Sequence, residues 1–143
     1  MSTMKNLIAA LSLFLTAAVH CGEPASPHVV TVERFVAAFN AHDSAAMAEF
    51  VADDIEWLSI SGKQMTVEAS GKADLIESMN AYFTSCPSCQ SKLTKVAATD
   101  GRVSAIEIAS WTVEHGRNLQ SAMSVYEFSD GLIQRVYYFP AEN

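Results

Sequence analysis

The sequence predicts an α+β domain in which three N-terminal helices pack on a curved, mostly antiparallel sheet. Three observations lead there. In the first half of the chain apolar residues recur at helical spacing, as at Val32, Phe35, Val36 and Phe39. In the second half the texture changes to strand-like runs separated by turn dipeptides such as Asp100-Gly101 and Asp130-Gly131. The chain has 143 residues, 50% of them hydrophobic and 17% charged, which is enough for one domain with a buried core and too little for two. Helices segregated from a run of strands place the helices on one face of the sheet. A formal charge of −7, from nine Lys+Arg against sixteen Asp+Glu, and the absence of any basic run argue against a nucleic-acid partner.

Residues 1–21 read as an address and not as part of the fold. Lys5 supplies a short positive region, and Leu7 to Val19 is an apolar run without charge. That run is short for a membrane span and shows no polar face at helical period, so it reads as a secretory signal. Thr16 and Ala18 are small at the positions a signal peptidase reads. Cys21, followed by a polar stretch, raises a lipoprotein alternative, although His20 stands where the lipidation pattern wants a small residue. The expectation is an exported protein, periplasmic or secreted, bound to a membrane only if Cys21 is lipidated. Residues 22–27 form a short linker, and 28–140 the domain.

Ser26-Pro27 is a helix start, with Ser at the N-cap and Pro at the first helical position. The first helix ends near Asn40-Ala41-His42. Asp43 caps a short second helix from about Ser44 to Phe50, with Met47 and Phe50 turned inward. Ile55 to Ile60 and Met65 to Ser70 read as a small hairpin about Ser61-Gly62-Lys63. A third helix follows Gly71, its buried stripe marked by Leu75, Ile76, Met79 and Phe83. Ser91 to Thr99, Arg102 to Glu114, Leu119 to Phe128 and Leu132 to Phe139 then form a four-strand meander, with Gly116-Arg117-Asn118 as its middle turn. Phe35, Phe39, Leu75, Ile76 and Phe83 are the expected core. Asp53-Asp54 reads as a solvated turn entering a strand and not as a metal site; no metal or cofactor is expected.

The segment from Val32 to Asp43 resembles the first helix and cap of the NTF2-like superfamily, in its SnoaL-like and ketosteroid-isomerase-like branch. Phe50-Val51-Ala52-Asp53-Asp54, Gly71-Lys72 and Asp130-Gly131-Leu132-Ile133 match in order and spacing. The likeness spans about residues 28–140. It implies a cone-shaped α+β barrel around an apolar pocket, and a homodimer formed through the outer face of the sheet. It does not fix a reaction, because the family includes isomerases, cyclases, dehydratases, epoxide hydrolases and members without catalysis. Steroid isomerases of the family use a Tyr and two acids. The matching positions here are Phe35, Ser59 and Ser124, or Val125 if the preceding hairpin shifts by one, and none carries the required group. Steroid isomerisation by that route is not expected.

Other residues remain as candidates. The period of two puts Ile55, Trp57 and Ser59 on one face, and Ser124, Tyr126 and Phe128 on another. Phe35, Trp57, Ser59, Ser124 and Tyr126 then form a wall for a flat, apolar ligand, or else ordinary core. Glu107 lies among Ala105, Ala109 and Trp111 on one face of a long strand. It is either a partly desolvated acid or base inside the cone or a surface residue paired with a cation. His115 is a base at the pocket mouth or a solvated turn residue. Cys86-Pro87-Ser88-Cys89 follows a helix and precedes a strand, the reverse of the redox-active arrangement, so it predicts a structural disulfide. The functional expectation is an exported binder of a small, mainly apolar molecule. The alternatives are an isomerase, cyclase or dehydratase using Glu107 or His115, and a dimeric scaffold with a filled core. Intact-mass measurement of the protein exported by its native host should find residues 1–21 missing; a mass that retains Met1 or Lys5 would refute the signal reading.

Overall fold

The computed structural model describes residues 25–141. The proposed signal, 1–21, and Cys21 lie outside them. Helices α1 (Pro27–Asn40) and α2 (Ser44–Ala48) come first. The hairpin β1 (Val51–Ser61) and β2 (Gln64–Ser70) follows, then α3 (Lys72–Ser85). Strands β3 (Gln90–Ala98), β4 (Arg102–Val113), β5 (Gly116–Ser129) and β6 (Leu132–Phe139) complete the chain.

All six strands join in one sheet of order β2-β1-β6-β5-β4-β3. The expected meander and the early hairpin are therefore not separate. Strand β6 runs beside β1 in parallel, with Trp57 opposite Val136, while every other pairing is antiparallel. The sheet is curved but does not close, so the expected barrel is an open one with edges at β2 and β3. Helix α1 lies over β3 and β4, α3 over β1 and β2, and α2 connects α1 to α3. The helices thus cover the concave face that the sheet leaves open.

Local chemistry explains the element ends. Pro27 occupies the first turn of α1, but the Ser26 hydroxyl makes no capping bond. At the other end Asp43 N–H donates to Ala38 O and His42 N–H to Phe39 O, with His42 at φ 55°. This is the paired closing pattern of a helix C-terminus, built on a residue other than glycine. Asp43 then caps α2 by accepting from Ala46 N–H. Gly71, at φ 91°, turns the chain into α3 and donates its N–H to Ile55 O at 2.7 Å. Only glycine takes that backbone without strain.

Three expectations are corrected. The β4–β5 turn is Glu114-His115 and not Gly116-Arg117-Asn118, because Val113 pairs directly with Gly116 and the ladder runs unbroken from there. Asp53 and Asp54 lie inside β1, where Asp53 pairs with Lys72 at 3.0 Å. The core contains Phe35, Leu75 and Phe83 as expected, with Val32, Met47, Ile55 and Ile133. Phe39 and Ile76 are only partly buried. In β3 the ladder to β4 shifts between Thr94 and Ala97, where Lys95 takes φ 49°.

The Cys86–Cys89 disulfide joins the end of α3 to the start of β3, with the Cα atoms 5.5 Å apart. The loop it encloses is short, so the constraint it places on the unfolded chain is at the low end of the usual range. Replacing both cysteines by Ser should lower the unfolding free energy by about 1–2 kcal/mol in urea titration. An unchanged midpoint would show that the bridge adds no stability.

Candidate functional site

Beneath the helices the cone holds a cavity of about 540 Å³. Its wall is largely aromatic, formed by Phe35, Phe39, Trp57, Tyr82, Tyr126 and Tyr138. Phe35 sits between Trp57 and Tyr126, with ring centroids 6.1 Å from each, and Trp57 continues to Tyr138 at 6.5 Å. These distances fall within the range of favourable tilted and edge-to-face ring contacts.

Glu107 enters this space from β4. The inward residues of that strand are Val103, Ala105, Glu107 and Ala109, so the period of two fixes the carboxylate on the concave side. Several of its neighbours on that face are small, although Leu93 lies opposite it on β3. Ala105 and Ala109 flank it along the strand, and Ala122 lies directly opposite on β5. Of these alanines Ala109 lines the cavity, where a larger residue would fill the space beside the acid.

Glu107 is 8% exposed, and its carboxylate is held from two sides. The Tyr126 hydroxyl donates a short hydrogen bond to Oε1. The Ser91 hydroxyl donates to Oε2 at 3.0 Å. Ser91 is itself fixed by Asn40 at the end of α1. The Asn40 amide donates to Ser91 O at 2.9 Å and accepts from Ser91 N–H at 2.8 Å, as a neighbouring strand would. The Gln90 amide closes the contact by donating to Asn40 O at 3.0 Å. His42 Nε2–H donates to Cys89 O at 2.9 Å, while its ring stacks on Phe83. The end of α1 is thus stitched to the first residues of β3, and the position of Glu107 depends on that seam.

The phenols respond to burial and to this charge. Tyr126 is pushed well above its ordinary value, first by burial and then by the adjacent Glu107 carboxylate. Tyr138 is pushed up to about 12, again by burial first and by Glu107 second. Burial alone raises Tyr82. At neutral pH the cavity therefore presents protonated phenols beside an acid.

The structure brings together Phe35, Trp57, Ser59, Glu107 and Tyr126 around one cavity. It does not bring in two other candidates. Ser124 is fully buried, but it does not line the cavity, and its hydroxyl has no hydrogen-bond partner among the described residues. It faces Ala105 and Tyr138 across its two ladders and lies behind the wall. His115 is 89% exposed in its side chain at the tip of the β4–β5 hairpin, beside Glu114 and away from the cavity. A two-residue turn projects its side chains into water, which removes His115 as a pocket base. Sequence reasoning missed Tyr138 and Ser91. Tyr138 was legible, since it alternates with the buried Val136 on β6. Ser91 carried no local signal, because its role comes from Asn40, 51 positions earlier.

The fold is that of the NTF2-like cone, and comparison with known proteins agrees. Residues 32–136 match the sequence profile of the SnoaL-like domain. The chain belongs to that family. Comparison with curated protein sequences gave no match. Among solved structures, an uncharacterised cystatin-fold protein from Novosphingobium aromaticivorans superposes with TM-score 0.69 at 18% identity, covering 78% of this chain and 96% of that one. An epoxide hydrolase from M. tuberculosis, described as LEH-like, gives TM-score 0.64 at 16% identity, over 80% and 82% of the two chains. A putative polyketide cyclase from Xanthomonas campestris pv. campestris gives 0.58 at 22%, over 79% and 89%. At such identities the likeness is one of fold.

The raised phenols imply a pH dependence of stability. The Tyr138 phenol ionises near 10.0 when unfolded and near 12 when folded. Between those values the unfolded chain has released a proton that the folded chain keeps, so stability falls as pH rises. The contribution is intact below pH 10. Urea titrations between pH 9 and 12 should show a steeper alkaline loss for the wild type than for Tyr138→Phe, and equal slopes would contradict the assignment.

Proposed function

We propose that this SnoaL-like chain binds a small, mainly apolar molecule in the cone cavity, with Glu107 as its polar anchor. The observation that carries the reading is the cavity itself. About 540 Å³ stays open between the sheet and helices α1 and α3, walled by aromatic rings and ending in one oriented carboxylate. Ligand sites of this size combine mostly apolar walls with few polar groups in fixed places. Native mass spectrometry of the protein purified from its source should show a noncovalently retained small molecule. Ala109→Met, which fills the cavity, should abolish retention; an adduct that persists in this variant would place the ligand elsewhere.

A second reading is favoured by the position of Glu107. A carboxylate inside an aromatic cavity, with the protonated Tyr138 phenol on the same wall, is suited to general-base chemistry. Glu107 would remove a proton beside a carbonyl while Tyr138 donates to the developing oxyanion. The two enzyme-named structural neighbours support this by fold analogy alone. Turnover that disappears in Glu107→Gln would establish it, and release of the retained molecule unchanged would dismiss it.

The same proposal takes the protein to be exported, as a soluble periplasmic or secreted protein or, with Cys21 lipidated, an anchored one. The uncharged run Leu7 to Val19 and the Cys86–Cys89 bridge, which suits an oxidising compartment, support it. It also takes two copies to pair through the outer face of the sheet. There Leu119 and Met123 are 69% and 49% exposed, beside Ile106 and Phe139. Light scattering that returns the mass of a single chain at micromolar concentration would rule out the pair.

A further inference from the structure

The cavity contains negative charge that the chain itself does not neutralise. Glu107 lies deep in it and Glu68, on β2, lines it nearer the surface, while no Lys, Arg or His lines it among the described residues. None of the ion pairs among those residues includes Glu107. Its two oxygens take one hydroxyl donor each, and a carboxylate offers about four lone-pair sites. Acceptor capacity therefore remains on an acid that is buried. Withdrawing a carboxylate from water is costly, and neutral donors offset the cost less well than a cation does.

The walls favour the same sign of charge. Aromatic faces carry partial negative charge and attract a cation placed within about 6 Å of the ring, most strongly at Trp. Phe35, Trp57, Tyr126 and Tyr138 form one contiguous belt around the acid. The formal charge of the whole chain, −7, adds a field that draws in cations and repels anions.

We infer that the molecule taken by this cavity is an organic cation, a protonated amine carried on a flat apolar body. The ammonium N–H donates to Glu107, and the body lies against Trp57 and Phe35. An anionic ligand would bring like charges together in a poorly solvated space, and a neutral one would leave the acid without a counter-charge. This inference rests on the reading of the cavity as a binding site and adds the chemical class of its ligand.

Isothermal titration calorimetry with three probes of one shape tests it: tryptamine, tryptophol and indole acetate, which are cationic, neutral and anionic at neutral pH. The wild-type protein should bind tryptamine at least roughly tenfold more tightly than tryptophol, and indole acetate least of all. Glu107→Gln should bring tryptamine and tryptophol to within about threefold of each other. If Glu107→Gln does not fold, Trp57→Leu should still narrow the gap, because it removes the strongest ring from the belt. Equal binding of the amine and the alcohol, or preference for the carboxylate, would overturn the cation assignment and leave the cavity reading in place. Absence of binding by all three would overturn both.

Discussion

A carboxylate placed inside an aromatic cavity needs donors, and much of this structure serves that requirement. Glu107 is directed inward by the alternation of the first half of β4, which also buries Val103 and Ala105. Once there it needs Tyr126 from the next strand and Ser91 from the strand on the other side. Tyr126 must in turn be buried against Phe35, and Ser91 must be held by Asn40. One inward acid thus links α1, β3, β4 and β5. Ala109, the next inward residue on β4, completes the arrangement by leaving space beside it.

The seam between α1 and β3 shows how the helices and sheet share this work. Because the sheet does not close, β3 has an unpaired edge at Ser91, the second residue of the strand. The Asn40 side chain takes the place of a missing strand there and satisfies both backbone groups of Ser91. His42 and Gln90 extend the contact to Cys89 and Asn40. The disulfide then restricts the segment that leads into the seam. The geometry of the acid is therefore set by groups at the end of a helix on the far side of the chain sequence.

The architecture was legible in the sequence wherever the signal was local. The stripe Val32, Phe35 and Val36, the Asp43 cap and the Asp130-Gly131 turn each act over a few residues, and each appears where expected. The parallel pairing of β1 with β6 was not legible, since it joins residues such as Trp57 and Val136 that no turn connects. The β4–β5 turn was misplaced because Gly116 and Asn118 resemble turn residues, whereas the ladder between two long strands continues through them. The site divides in the same way. Alternation put Trp57 and Tyr126 on the inner faces of their strands. It also put Glu107 and Trp111 on one face of β4, but which face is concave depends on sheet curvature and helix placement. Ser124 obeys alternation and is buried, yet Tyr138 stands opposite it, which alternation along a single strand does not reveal.

Lys95 has a bearing on how such an open sheet survives in solution. An unpaired strand edge can template the addition of another chain, and repetition of that step leads to fibrous aggregates. At β3 the edge is interrupted between Thr94 and Ala97 by a residue in left-handed backbone that carries a charge. An incoming strand would meet a broken ladder of donors and acceptors and a lysine that must stay hydrated. Asn40 already occupies the edge at Ser91. The irregularity in β3 thus acts as a terminator, allowing the cone to stay open on one side without recruiting further chains along its rim.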